Sequence, residues 1–277
     1  MTTPTGAPAA WSALLADAVS KPGLISEAYS RFHGYSFGNQ LLALWQCTLR
    51  GIEPGPINTF LHWQELGRNV KKGAKALTLC MPVTIKSRKN DVPDEGEEEP
   101  VQAGKRTIFV YKNRWFVLSQ TEGEPYQPQE LPSWSEERAL SALSISRIPF
   151  THLDGNAQGY AREQSVSISP IAFAPHRTLF HELAHVILGH TSESEMTDDD
   201  RTPRNIREVE AEGAALICCE CLGLPGVEYS RGYLQHWLRA DQIPDRSAQR
   251  IFKAADTILR AGRPAEKPSD PEPQQIT

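Results

Sequence analysis

No stretch of the 277-residue chain approaches 18 consecutive apolar residues, and its N-terminus lacks a basic segment followed by an apolar one. Neither a membrane-spanning helix nor a secretory leader is expected. Cysteine is scarce, and its five positions do not suggest a disulfide framework. Cys47 and Cys80 stand alone, while Cys218, Cys219 and Cys221 crowd one predicted helix, where neighbours cannot easily pair. Buried, reduced thiols in a cytoplasmic protein are the expectation. An excess of positive charge is missing as well. The chain carries 29 Lys and Arg against 34 Asp and Glu, a net −5, so it has no global signature of nucleic-acid binding. There is no internal repeat. What remains is a soluble globular composition, 39% hydrophobic and 23% charged, in a chain long enough for two domains.

The most informative stretch is His181-Glu182-Leu183-Ala184-His185, which reads H-E-x-x-H. Apolar residues at Leu179, Phe180, Leu183, Ala184, Val186, Ile187 and Leu188 predict a helix, with Pro175 just before its start and Gly189 as its stop. On a helix, positions i and i+4 share a face, so both imidazoles can reach one metal ion. Glu182 then lies near the open coordination position, where a general base would take a proton from water. Such a site needs a third protein ligand. His190 follows His185 by five positions and Gly189 by four, which is the wrong register for the extended H-E-x-x-H-x-x-G-x-x-H pattern. A helix-capping role, or one behind the ligands, suits His190 better. Asp198-Asp199-Asp200 reads as a solvated acidic loop. Arg207 to Ala215 lies in a second predicted helix, about 203–222, where Glu208 and Glu212 share a face and Ala211, Ala214 and Ala215 allow close packing. Glu208 is assigned as the third ligand and Glu212 as the carboxylate that orients a ligand histidine. Glu210, offset by about 200° from Glu208, faces away. Two histidines and a carboxylate suit Zn2+, with Mn2+ or another divalent transition metal as an alternative occupant. Tyr160, Tyr229, Tyr233 and His236 are candidates for stabilising an oxyanion, and the sequence does not choose among them.

The expected layout is α+β in two domains. Residues 1–10 are expected to be disordered, 11–123 form an N-terminal domain, 124–134 a linker, 135–261 a second domain, and 262–277 a disordered tail. Helices are predicted at 11–20, 24–32, 37–50, about 60–66, 135–145, 228–240 and 244–261. Strands are predicted at 76–86, at 107–111 and 114–119 as a hairpin around Lys112-Asn113, near 148–152, and at 165–169. The last of these, just before the H-E-x-x-H helix, could be an edge on which a peptide lies. Residues 87–106 are an acidic low-complexity insert.

Charge is unevenly spread: residues 1–85 hold seven Lys and Arg against four acids. The Gly-bounded loop Gly67-Arg68-Asn69-Val70-Lys71-Lys72-Gly73-Ala74-Lys75 is basic, and aromatic residues flank it in sequence. Lysines on phosphates and aromatic platforms under bases are what single-stranded DNA requires. Three segments, 35–42 (Tyr-Ser-Phe-Gly-Asn-Gln-Leu-Leu), Trp63 to Ala76 and Phe116 to Gly123, together with Thr178 to His185 and Arg207 to Glu212, resemble ArdC-type antirestriction proteins over roughly residues 10–260. The resemblance implies an N-terminal domain that binds single-stranded DNA, followed by a zincin-like metallopeptidase domain of the H-E-x-x-H plus glutamate (gluzincin) type. It implies His181, His185 and Glu208 as metal ligands, Glu182 as the catalytic residue, and plasmid-borne protection of incoming DNA from host restriction. Arg31, Tyr35, Asn39, Trp63, Arg68, Lys71, Lys72 and Lys75 are the expected DNA contacts, and the protein substrate is unknown. Two other outcomes stay open. One is a DNA-coating protein whose metal site is not catalytic. The other is a DNA-dependent protease acting on DNA-bound proteins or on a repressor.

Overall fold

The computed structural model describes residues 10–86, 105–151, 157–191, 202–239 and 243–264. Residues 1–9, most of the acidic insert, Asp198-Asp199-Asp200, His152 and the tail beyond 264 lie outside the described residues. The described chain mixes helix and strand and divides into two compact units: Met1–Leu41 with Gln129–Thr277, and Leu42–Pro128. Compactness therefore groups the first two helices with the C-terminal half rather than with residues 42–123.

The reason lies in their apolar faces. Helix α1 (Trp11–Ser20) buries Leu14, Leu15, Ala18 and Val19, and α2 (Leu24–Phe32) buries Ile25, Ala28, Tyr29 and Phe32. Their partners in the same unit are α7 (Arg204–Leu222), α8 (Val227–Arg239) and α9 (Asp245–Ala261). Polar groups secure the junction. The last carbonyls of a helix have no intrahelical partner. Here Arg231 donates to Ala18 O and Val19 O, and it pairs with Glu220. Glu220 in turn accepts the Gly23 amide at 3.0 Å, at the start of α2. Gly23 sits at φ +86°, where a side chain would be strained. At the other end of α1, Asp245 accepts from the Ser12 amide at 2.9 Å and from its hydroxyl at 3.2 Å.

The remainder of this unit contains α5 (Glu136–Leu143), capped by Ser135, and a small sheet in the order β6 (Ser146–Arg147), β8 (Ser165–Ile168), β7 (Gly159–Arg162). β6 is parallel and β7 antiparallel to β8. The strand expected near 148–152 is thus a two-residue pairing, extended only by the Ile148 amide on Val166 O at 2.9 Å. The expectation that residues 165–169 form an edge is corrected too: β8 is the central strand, paired on both sides, and β7 is an edge among the described residues. Trp134, at the end of the expected linker, is anchored. Its indole N–H donates to Ile258 O at 3.0 Å and its ring stands edge-on to Phe180 at 5.1 Å.

Helix α3 (Phe37–Arg50) crosses into the second unit. There an antiparallel sheet runs in the order β1 (Ile57–Thr59), β4 (Lys105–Val117), β3 (Leu77–Lys86). The expected hairpin at Lys112-Asn113 is absent, because β4 is one continuous strand. Lys112 pairs with Leu79 and Asn113 with Thr78, and Arg114 is bulged out before Trp115 pairs with Leu77. A partner strand of ten residues gives the whole segment a ladder to join, which outweighs a local turn signal. Gln46 of α3 closes part of the outer edge of β3. Its amide donates to Thr78 O at 2.8 Å, and its oxygen accepts from Thr78 N at 2.9 Å. Helix α4 (Phe60–Glu65) is capped by Thr59. β2 (Arg68–Val70) pairs with β5 (Thr121–Gly123).

Candidate metal centre

Helix α6 (Pro175–Ile187) begins with Pro175 in its first turn, where the missing N–H costs nothing. It buries Leu179, Phe180, Leu183, Ala184 and Val186. His181 and His185 share the face turned towards α7, whose Ala211, Gly213, Ala214 and Ala215 are buried and small enough for close approach. His181 Nε2 and His185 Nε2 stand 3.1 Å apart, and Glu208 Oε2 is 3.5 Å from the first and 3.7 Å from the second. Ligand atoms about 2.0–2.1 Å from a tetrahedral zinc stand about 3.3–3.4 Å apart. The three atoms are therefore spaced as a metal would space them, and among the described residues they form the cluster that could hold a metal ion.

The electrostatics agree with that fit. Burial works against a charge on His181, but the Glu208 and Glu212 carboxylates outweigh it and lift the imidazole to about 9. The two imidazoles hold Glu208 well below the usual carboxylate range. Burial pushes Glu182 up, partly offset by His181 and His185. This cluster of carboxylates favours a positive charge at its centre, which a divalent cation supplies.

Around these groups lies a layer that fixes their orientation. Glu212 Oε2 is 3.1 Å from His181 Nδ1. Arg177 holds Glu212 with Nη2 at 2.6 and 2.7 Å from its two oxygens and Nε at 3.0 Å from Oε1. Burial would raise Glu212, but His181 and Arg177 bring it down to about 2. Arg177 also donates to Ser230 Oγ at 3.0 Å and lies over the Tyr229 ring at 4.3 Å. His185 Nδ1 is 3.0 Å from His190 Nδ1, and His190 Nε2 is 3.1 Å from Glu210 Oε2. Glu210 does face away from Glu208, but it points into the interior and is fully buried. Sequence reasoning missed Arg177, although it precedes His181 by four positions on the same helix face. It also missed Arg250, which donates to Glu210 from α9 and carries no local signal. Gly159 was missed too. It sits so close that an added Cβ would lie 3.2 Å from Glu182 Oε1, which puts the β7 edge beside that carboxylate.

Among the oxyanion candidates, Tyr229 is engaged by Arg177, and the Tyr160 hydroxyl reaches Pro149 O at 3.5 Å. Burial pushes the Tyr233 phenol up against a Trp237 hydrogen bond, and the charges of Glu208 and Glu212 add to the rise. His236 is exposed.

The expected DNA contacts separate on inspection. Lys71, Lys72 and Lys75 are exposed, with Lys71 Nζ donating to Ser119 O at 2.9 Å. Arg68 is already committed. Its guanidinium donates to Thr121 Oγ1 at 2.8 Å, to Thr121 O, and to the carbonyls of Gly123 and Glu124. Trp63 is corrected to a core residue, fully buried with its indole N–H on Phe116 O at 2.8 Å. Asn39 is buried, whereas Tyr35 is half-buried and Arg31 exposed. These last three belong to the first compact unit and the others to the second. Among the described residues of the second unit, Phe60, Phe109 and Tyr111 are exposed aromatic residues.

Residues 11–116 match the model of the N-terminal domain of the anti-restriction factor ArdC. Solved structures similar to the chain include two of one protein. The metal-free crystal structure of the antirestriction protein ArdC from plasmid R388 shares 23% identity at a TM-score of 0.51, covering 91% of this chain and 94% of that one. The Mn(II)-bound structure of the same protein shares 19% identity at a TM-score of 0.51, covering 92% and 99%. None of the curated proteins matches the chain in sequence. At this identity the solved structures establish the fold, and the family model establishes the N-terminal domain. All five cysteines are free, and among the described residues no helix is long and apolar enough to cross a membrane. Residues 11–116 thus carry an ArdC-type N-terminal domain by sequence, and over nine-tenths of its length the chain shares the fold of the R388 protein.

Proposed function

We propose that this chain is an antirestriction protein that binds single-stranded DNA and carries a metal-dependent peptidase site of the zincin type, acting in the cytoplasm on DNA arriving by plasmid transfer. The observation that carries the peptidase reading is the spacing of His181 Nε2, His185 Nε2 and Glu208 Oε2 with the buried Glu182 between the two histidines in sequence. These three residues would hold Zn2+ or Mn2+; the likeness to an Mn(II)-bound ArdC supports a divalent metal. When bound, such a metal supplies Lewis acidity to a carbonyl and acidifies water. Glu182, raised by burial, would serve as the general base, taking a proton from water and passing it to the leaving amine. A peptide laid along the edge of β7 would run past Gly159, whose lack of a side chain leaves room beside Glu182. Tyr233, whose phenol feels the charges of Glu208 and Glu212, is the favoured oxyanion donor. Lys71, Lys72 and Lys75 supply the phosphate contacts, with the exposed aromatic rings as stacking partners.

The test is transfer of unmodified plasmid DNA into a restricting host, comparing wild type, Glu182→Ala and a Lys71/Lys72/Lys75→Ala triple variant. Loss of protection in both variants is expected. Full protection with Glu182→Ala would instead assign protection to DNA coating, and full protection with the triple variant would remove those lysines from the mechanism.

A further inference from the structure

We infer that His190, Glu210 and Arg250 form a proton-ordered relay that fixes the tautomer of His185 and strengthens it as a metal donor. The inference rests on the proposed metal site and deepens it. A nitrogen that binds a metal must offer its lone pair, so a ligating His185 Nε2 leaves the ring proton on Nδ1. That proton points at His190 Nδ1, 3.0 Å away. One of two facing nitrogens must accept, so His190 Nδ1 is the acceptor and the His190 proton resides on Nε2. There it meets Glu210 Oε2 at 3.1 Å, an acceptor.

The opposite order fails at both ends. A proton on His190 Nδ1 would force one onto His185 Nε2, removing the ligand, and would set the bare His190 Nε2 against a carboxylate oxygen. The 3.4 Å approach of Arg250 Nη2 to His190 Nε2 is then a contact between two donors and not a bond. Arg250 is occupied elsewhere: Nε donates to Glu210 Oε2 at 3.0 Å and Nη2 to Leu188 O at 2.9 Å. Leu188 follows directly on α6, so the same arginine ties the carboxylate to the end of the ligand helix.

The burial is that of a built device. Glu210 is completely enclosed and His190 nearly so. A carboxylate costs several kcal/mol to bury unless it is paired, and this one is paired with a cation and an N–H donor. The two metal histidines are thus supported differently. Glu212 accepts directly from His181, while Glu210 acts on His185 through an intervening imidazole. His190, which the motif register excludes as a ligand, becomes a positioning residue.

The test measures zinc affinity by chelator competition in the full chain, with melting of the metal-free protein as a control for folding. Asparagine places its amide oxygen near the position of imidazole Nδ1, so His190→Asn keeps an acceptor for His185 but breaks the link to Glu210. His190→Leu removes the acceptor. Affinity should fall about 10-fold in Glu210→Gln and in His190→Asn, and further in His190→Leu, with cooperative melting of each metal-free variant retained even where the midpoint falls. Long-range nitrogen–proton spectra of the zinc-loaded wild type, labelled on histidine nitrogen, should show His185 protonated at Nδ1 and His190 at Nε2 alone. A proton on His190 Nδ1, or wild-type affinity in both Glu210→Gln and His190→Asn, overturns the relay while leaving the metal site standing. A wild type that takes up no zinc overturns both.

Discussion

Glu208, Glu210 and Glu212 alternate along α7 and meet three different surroundings. Glu208 is half-buried and reaches two imidazoles, Glu210 is enclosed with Arg250 and His190, and Glu212 is clamped by Arg177. Removing Glu208 takes away a proposed metal ligand without opening the core. Glu208→Ala should therefore fold normally and lose most of its bound metal, and wild-type stoichiometry in metal analysis would exclude it as a ligand. Another acid, the half-buried Asp256 on α9, gives a pH prediction. Burial raises it, and Arg260, 3.2 Å away, together with Arg263 only partly offsets the rise. The folded state then holds this proton to higher pH than the unfolded chain. Stability falls as pH rises from the ordinary aspartate value through the folded one, and the loss persists above it. Asp256→Asn should melt at higher temperature than wild type at pH 7, with the gap closing near pH 3. A lower melting temperature at pH 7 would mean that the arginines outweigh burial. At this scale the sequence was informative where a site follows helical spacing, as with His181/His185 and Glu208/Glu212. It was silent on Arg250, which arrives 40 positions after Glu210 by packing alone. It misread Trp63, because an aromatic beside a basic loop looks the same whether its ring faces DNA or the core.

Between elements, the tightest approach near the site is β7 against α6. A Cβ on Gly159 would meet Thr178 Cγ2 at 2.6 Å, Ser167 O at 2.9 Å and Glu182 Oε1 at 3.2 Å. Gly159→Ala should cost about 1–3 kcal/mol from overpacking and should displace Glu182. On the proposed peptidase reading, turnover is expected to fall well beyond the stability loss, and an unchanged rate would detach β7 from the site. In the second unit, the basic loop is held by backbone pairing of β2 with β5, leaving Lys71, Lys72 and Lys75 exposed. Each phosphate contact on a single strand contributes about 0.7 to the slope of log affinity against log salt. On the proposed DNA-binding reading, the triple alanine variant should flatten that slope by about 2, and an unchanged slope would remove these lysines from the proposed surface. Helix positions were readable because their caps and stops are local: Thr59, Ser135 and Gly189 all stand where helices begin or end. Strand partners were not. Whether Lys112-Asn113 turns or continues depends on β3, some thirty residues earlier, and the rank of β8 in its sheet depends on β6 and β7.

The whole chain resists division at its Pro-containing linker, because α1 and α2 belong to the same compact unit as α7, α8 and α9. A chain starting at residue 42 leaves the Glu220–Arg231 pair without the Gly23 amide and the α1 carbonyls that it serves. Such a truncation should lose cooperative melting and metal uptake, and a truncated protein that binds zinc like wild type would show α1 and α2 to be dispensable. The sequence could not reveal this membership, since an amphipathic helix states that it has an apolar face but not which face will cover it.

The membership has a consequence for synthesis. Helix α2 ends at Phe32, while its partner α7 begins at Arg204, so about 170 residues must be added before that partner exists. At about 5–20 residues per second, that interval is roughly ten to forty seconds. Residues 42–128 are complete within it and can fold behind the ribosome. Ile25, Ala28, Tyr29 and Phe32 meanwhile wait uncovered, and α2 is buried long after it is made.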